Sequence, residues 1–333
     1  MTFPVVITIA VAGDPVDDQL TLADAAVVAD TAQQAGVSAL RLLDQPVGTP
    51  PPGPSGGAGR IVDPTVAVAY LAGRQGRIGY LVDVATTHQA PYNTARRVLS
   101  IDRATDGQAG IVLRAGAGDE VSDAVTAAPG PGDPAARWSD YAEVLTRLWE
   151  SFPRSALIGD QDAAVVADHT AIRAIDHVGE FYRVAGPLDG PSSRQGRPVL
   201  AVTDVAIVGW DRAAALADVI LVESEEAPTA AEALANAIER VGRHRREITL
   251  IGRLPVDARR EANAEQLAER LAQFVAAHGL DGLELLPVGG VEAVLSVLAS
   301  VVTVLAEPPG ITLRDSLGVP EPIGQLVSTG TGA

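Results

Sequence analysis

RIGYLVDVATTHQAPYNTARRVLSIDRATDGQAGIVL, residues 77–113, holds one complete strand–helix–strand unit, and the rest of the chain repeats it. Arg77 to Ala85 is an apolar, β-branched run of the kind expected for a strand buried on both faces. Pro91 to about Thr105 reads as a helix, and Ala109 to Leu113 as the next strand.

Outward from this unit the alternation continues. Toward the N-terminus, Val5 to Val11 is a strand, and Leu22, Ala25, Ala26, Ala29 and Ala32 form one helical face ended by Gly36. Ala39 to Leu43 is the second strand, followed by a Pro/Gly loop from Pro46 to Arg60. Asp63 and Pro64 start a helix that runs to about Arg74, with Asp as N-cap and Pro at the first helical position. Toward the C-terminus, Gly116 to Pro134 is a loop, and Trp138 to Trp149 places Trp138, Tyr141, Leu145 and Trp149 at helical spacing. A long irregular stretch runs to Arg197. Strands follow at Pro198–Val202, Val219–Val222, Glu247–Ile251 and Gly282–Leu286, with helices at Ala264–His278 and Val291–Leu305. Eight strands alternating with helices predict a parallel α/β sheet, and no glycine fingerprint follows the first strand. The expectation is a closed (β/α)8 TIM barrel with shortened insertions, one domain over residues 1–333.

Composition excludes several chemistries. The chain has 333 residues, and 25 basic against 42 acidic residues give a net charge of −17. There is no Cys and no Lys, so every basic residue is Arg. That removes thiolate nucleophiles, Cys-ligated metals, Schiff-base lysines and the Walker phosphate loop. The negative charge opposes nucleic-acid binding. No uniformly apolar run of membrane-spanning length and no basic leader is seen, so the expectation is a cytoplasmic protein without membrane contact.

Chemistry in such a barrel sits at the C-terminal strand ends. Those ends carry Asp14, Asp44, Thr86, Thr87, His88, Arg114, Thr203, Asp204, Glu223, Ser224, Arg253 and Glu284. This mix suits a polar ligand. His169, His177, His244 and His278 lack metal spacing, so no metal site is expected.

The segment Ala85 to Gly110 carries more. Thr86-Thr87 ends a strand, Pro91-Tyr92 and Ala95-Arg96 open a helix, and Ser100-Ile101-Asp102 to Gly107 turn into the next strand. RWSDYAEVLTRLWESF (137–152), IDHVGEFYRVAGPLDGPSSRQGRPVLA (175–201) and Thr312 to Gly318 extend the pattern. Together these segments resemble the bacterial luciferase-like flavin monooxygenases, in the branch that includes nitrilotriacetate and dibenzothiophene-sulfone monooxygenases. The resemblance spans nearly the whole chain. It implies a barrel that binds reduced flavin mononucleotide (FMN) in its mouth, activates O2 and oxygenates a small substrate, with the flavin often supplied by a separate reductase. Some relatives use a deazaflavin instead. It also implies a homodimer formed through the early barrel helices.

The sequence departs from that branch at the flavin positions. Val112 stands where the branch has Asn, and Ala115-Gly116 replace a hydroxyl pair. After strand five, Asp204 and Ala206 stand where a Gly and a Ser hold the flavin phosphate. A carboxylate there repels the phosphate by several kcal/mol, about 4 for unit charges 4 Å apart, unless Arg114, Arg137 or Arg212 offsets it. The strand ends and the resemblance together give His88 as the catalytic candidate, and Asp44, Thr87, Arg114, Arg137 and Asp204 around the cofactor. His88 reads either as a general acid/base or flavin-edge contact, or as a hydrogen-bonded strand end. Arg114 reads either as an anion anchor or as a partner of Asp83 or Asp204. Asp44 reads as an acid near flavin or as a loop anchor. Two functions stand: a flavin-dependent monooxygenase, or a flavin-free barrel serving as a partner subunit or ligand-binding protein.

Overall fold

The structure is a computed structural model, and it describes residues 2–13, 15, 18–44, 62–87, 89–116, 133–257 and 263–322. Eight parallel strands close a barrel: β1 (Val5–Ile9), β2 (Ala39–Leu42), β3 (Gly79–Ala85), β4 (Ala109–Arg114), β5 (Val199–Val202), β6 (Val219–Glu223), β7 (Thr249–Val256) and β8 (Gly282–Pro287). Each pairs with its sequence neighbour, and β8 pairs back onto β1 through Val5–Leu283 and Val6–Glu284. The helices between them include α1 (Leu22–Ala35), α2 (Pro64–Arg74), α3 (Pro91–Ala104) and α4 (Pro134–Glu150).

The local sequence explains these boundaries. Thr21 and Asp24 form a capping box that starts α1, and Gly36 ends it at φ 82°. Asp63 accepts from the Thr65 amide with Pro64 at the first helical position of α2, as the sequence predicts. Asp133 caps α4 in the same way. The helix Ala264–His278 has the bounds its apolar spacing predicts. Two differences emerge. Strand β7 continues through Pro255 to Val256, past the Ile251 expected from its β-branched run, because β8 offers it a register as far as Pro287. The stretch before Arg197 is less irregular than expected. It contains two small hairpins, Leu157–Asp160 with Val165–Ala167, and His177–Val178 with Arg183–Val184.

Side chains alternate across the strands, so every second residue enters the barrel. The interior apolar layer consists of Val6, Ala39, Leu81, Val112, Val199, Ala201, Val219, Leu221 and Ile251. Leu313, Leu317 and Val319 from the C-terminal segment join it, and the Thr249 hydroxyl donates to the Leu317 carbonyl. The opposite faces of the strands pack on the helices in a larger cluster that includes Trp138, Tyr141, Leu145 and Trp149. These aromatics are core, as their spacing predicts: Trp138 Nε1 donates to the Leu113 carbonyl at 2.9 Å, and Trp149 Nε1 to that of Ala95 at 3.0 Å. No helix among the described residues is long and apolar enough to cross a membrane.

Candidate functional site

Two residues beyond the apolar layer, the same inward positions turn ionic. Arg41 follows Ala39, Asp83 follows Leu81, Arg114 follows Val112, Glu223 follows Leu221 and Arg253 follows Ile251. These side chains, with Glu284 of β8, form one alternating string across the mouth: Asp44, Arg114, Asp83, Arg41, Glu284, Arg253, Glu223. Arg41 reaches Asp83 at 2.6 Å and Glu284 at 2.9 Å. Arg253 Nε lies 2.7 Å from Glu284, and its Nη1 holds Glu223. The Thr8 hydroxyl donates to Glu284 from β1. Arg114 Nε sits 2.8 Å from Asp83 as an ion pair off the line of a hydrogen bond, and its Nη2 is 3.9 Å from Asp44.

The middle of the string is dry and its ends are wet. Arg41, Asp83 and Glu284 are each 1% exposed or less, whereas the Glu223 side chain is half exposed and Arg114 and Asp44 are partly so. Burial alone would raise the Glu284 pKa, but Arg41 and Arg253 more than offset it and hold the carboxyl below its ordinary value. Burial likewise opposes the charge on Arg41, and Glu284 and Asp83 outweigh it, so the guanidinium stays protonated. Glu223 goes the other way: burial and the neighbouring Glu284 raise it despite Arg253. The string carries four acids and three arginines, a net of −1.

Arg114 forms ion pairs with Asp83 and Asp44 and none with Asp204. Asp44 anchors this end of the string, and its amide donates to Asp83 at 3.4 Å. Thr86 accepts from the Gly116 amide at 3.0 Å. Thr87 is buried against Gly116, so closely that a methyl group on Gly116 would overlap its side chain. Arg137 is buried with its guanidinium 4.8 Å from the Phe181 ring. His88 lies outside the described residues. His177 is turned inward: one ring nitrogen meets Asp140 and the other lies 3.2 Å from Arg147.

Asp204 stands at the strand end where the resemblance would place a flavin phosphate. Its carboxylate accepts from the Ala115 amide at 3.0 Å and forms no ion pair among the described residues, while Arg212 lies 3.8 Å from Asp133 instead. The amides of Val205, Ile207 and Val208 donate to the Thr203 and Asp204 carbonyls. The helix they begin, Val205–Val208, is a single turn. Val112 is buried in the apolar layer beneath Arg114. The residues present therefore do not fit a phosphate at the end of β5.

The strand ends named from the sequence hold most of this site, but not Arg41 and Asp83 as a pair. The signal was present: an inward apolar residue followed two positions later by a charge, on five of the eight strands.

A family model described as luciferase-like monooxygenase matches residues 1–289. The chain is similar to nitrilotriacetate monooxygenase component A of Aminobacter aminovorans, 31% identical over 163 residues, covering 48% of this chain and 36% of that protein. It is also similar to a subunit of the pristinamycin IIA synthase of Streptomyces pristinaespiralis, 30% identical over 159 residues, covering 48% of this chain and 50% of that protein. The matched part spans no more than half the length of these relatives. Among solved structures, EDTA monooxygenase from Chelativorans sp. BNC1 superposes with a TM-score of 0.75 at 18% identity, covering 96% of this chain and 99% of that one.

Proposed function

Because the chain belongs to the luciferase-like monooxygenase family, we propose that it is a flavin-dependent monooxygenase acting on a small organic substrate with reduced FMN and O2. The observation that carries this reading is the family match through residue 289 onto a closed barrel with a polar mouth. The cofactor would supply the reactivity toward O2, and the chain the binding surface and exclusion of water. With no fitted phosphate seat after β5, the flavin is a dissociable ligand delivered reduced by a separate reductase. The protein works in the cytoplasm as one domain and pairs with a second copy through α1 and α2. The apolar side chains of Val27, Val66 and Tyr70, left at the surface of these helices, support that pairing.

A fluorescence titration tests the proposal. FMN emission should be quenched on binding, and a reductase-coupled mixture should consume O2 in a substrate-dependent way. Absence of binding by both FMN and riboflavin, oxidised or reduced, at high micromolar concentration removes the reading. A second reading is a flavin-free barrel that serves as a partner subunit. Asp204 favours it, as does the likeness to a protein named as one subunit of a synthase. Saturable binding of reduced FMN rules it out.

A further inference from the structure

Anions bind proteins where backbone amides and cations are left free to meet them. At three strand ends in this mouth a carboxylate of the chain itself already takes the amide. The Ala115 amide past β4 donates to Asp204 at 3.0 Å. The Gly289 amide past β8 donates to Asp18 at 2.6 Å. The Asp44 amide past β2 donates to Asp83 at 3.4 Å. The Gly116 amide, a fourth candidate, is held by the Thr86 hydroxyl.

The cations are committed in the same way. Arg41, Arg114 and Arg253 each lie between two carboxylates of the string. Adding Asp204 brings the ionic layer from −1 to −2.

We infer that the mouth discriminates against phosphate, with Asp204 as the determinant, and that its flavin site takes the phosphate-free flavin, riboflavin, in preference to FMN. This rests on the flavin reading above and deepens it. An uncharged ribityl chain meets no repulsion from Asp204, whereas a phosphate carries more than one charge toward it. Even with the screening expected of a half-buried carboxylate, the difference amounts to roughly tenfold or more in affinity.

The test is a pair of fluorescence-quenching titrations of the full chain, one with riboflavin and one with FMN, at low and high salt. Riboflavin should bind at least about tenfold tighter at low salt, and the gap should shrink as salt screens the repulsion. Asp204→Asn keeps an oxygen for the Ala115 amide, so it should strengthen FMN binding and leave riboflavin unchanged. FMN binding as tightly as riboflavin in the unmodified chain would overturn the inference and leave the flavin reading standing. Asp204→Asn shifting both ligands alike would do the same. Neither flavin binding would remove both. The salt dependence needs no variant, so the inference stays exposed to refutation even if Asp204→Asn fails to fold.

Discussion

Replacing Arg41 by Met tests whether the ionic layer is as dry and as tightly coupled as its geometry indicates. Arg41 contacts Asp83 at 2.6 Å and Glu284 at 2.9 Å. At an effective dielectric near 20 each contact contributes about 6 kcal/mol of gross attraction, and desolvation of the three ions returns several kcal/mol apiece. Methionine fills much of the volume but leaves Asp83 with Arg114 alone and Glu284 with Arg253 alone. Breaking a buried ionic arrangement in this way costs about 3–5 kcal/mol near neutral pH. The cost depends on pH in a definite direction. In the native chain Glu284 titrates below its ordinary value, so its contribution is present above the unfolded pKa and fades as pH falls through the lower folded one. Without Arg41 one of the two arginines that hold the Glu284 pKa down is gone, so that pKa moves upward. The variant therefore loses stability relative to the native chain as pH rises. The gap between the two proteins should be smallest near about pH 4 and widest near about pH 7. Urea unfolding followed by tryptophan fluorescence at several pH values measures it. A loss below about 1 kcal/mol at neutral pH, or one independent of pH, would refute the coupled buried string.

Two further outcomes follow from the same structure. Gly116→Ala drives a methyl group into Thr87 and should destabilise by about 1–3 kcal/mol; adding Thr87→Ala should recover part of that loss, and strict additivity of the two in urea unfolding would exclude the contact. Burial raises the Asp102 carboxyl to about 6, against the hydrogen bonds from the Ala109 amide and the Gln195 side chain. Its folded pKa being raised, stability should fall as pH rises from about 4 toward 6, by about 3 kcal/mol. Asp102→Asn should abolish that share of the pH dependence, and an unchanged profile would show that Asp102 is not the group responsible.

The family and the barrel were legible early because their signals are local. A strand buried on both faces is an apolar run, and a helix start is a cap such as Asp63 before Pro64; each lies within a few residues. The two hairpins before Arg197 were not legible. Their strands are two to four residues long, too short for any period to show, and the Leu157–Asp160 strand is exposed throughout, so burial leaves no mark on its sequence. Of the site, Asp44, Thr87, Arg114 and Asp204 were named from strand ends, but none of their partners followed from position. The sequence allows Arg114 to be an anion anchor or a partner of Asp83 or Asp204, and the closed barrel pairs it with Asp83 and Asp44.

The chain by itself therefore determined eight strands, their order, the absence of thiol and lysine chemistry, and a carboxylate at position 204. Tertiary structure decided what those charges do. Arg41 and Glu284 are 243 residues apart in the chain. They meet because β8 closes onto β1, with Glu284 paired to Val6 and Arg41 to Thr8 two residues further along β1, close enough for both side chains to reach each other inside the barrel. Whether a charge is free for a ligand or held by a neighbour depends on a few ångströms across the barrel, and on burial that multiplies each contact. Both are properties of the closed sheet, which no stretch of sequence contains.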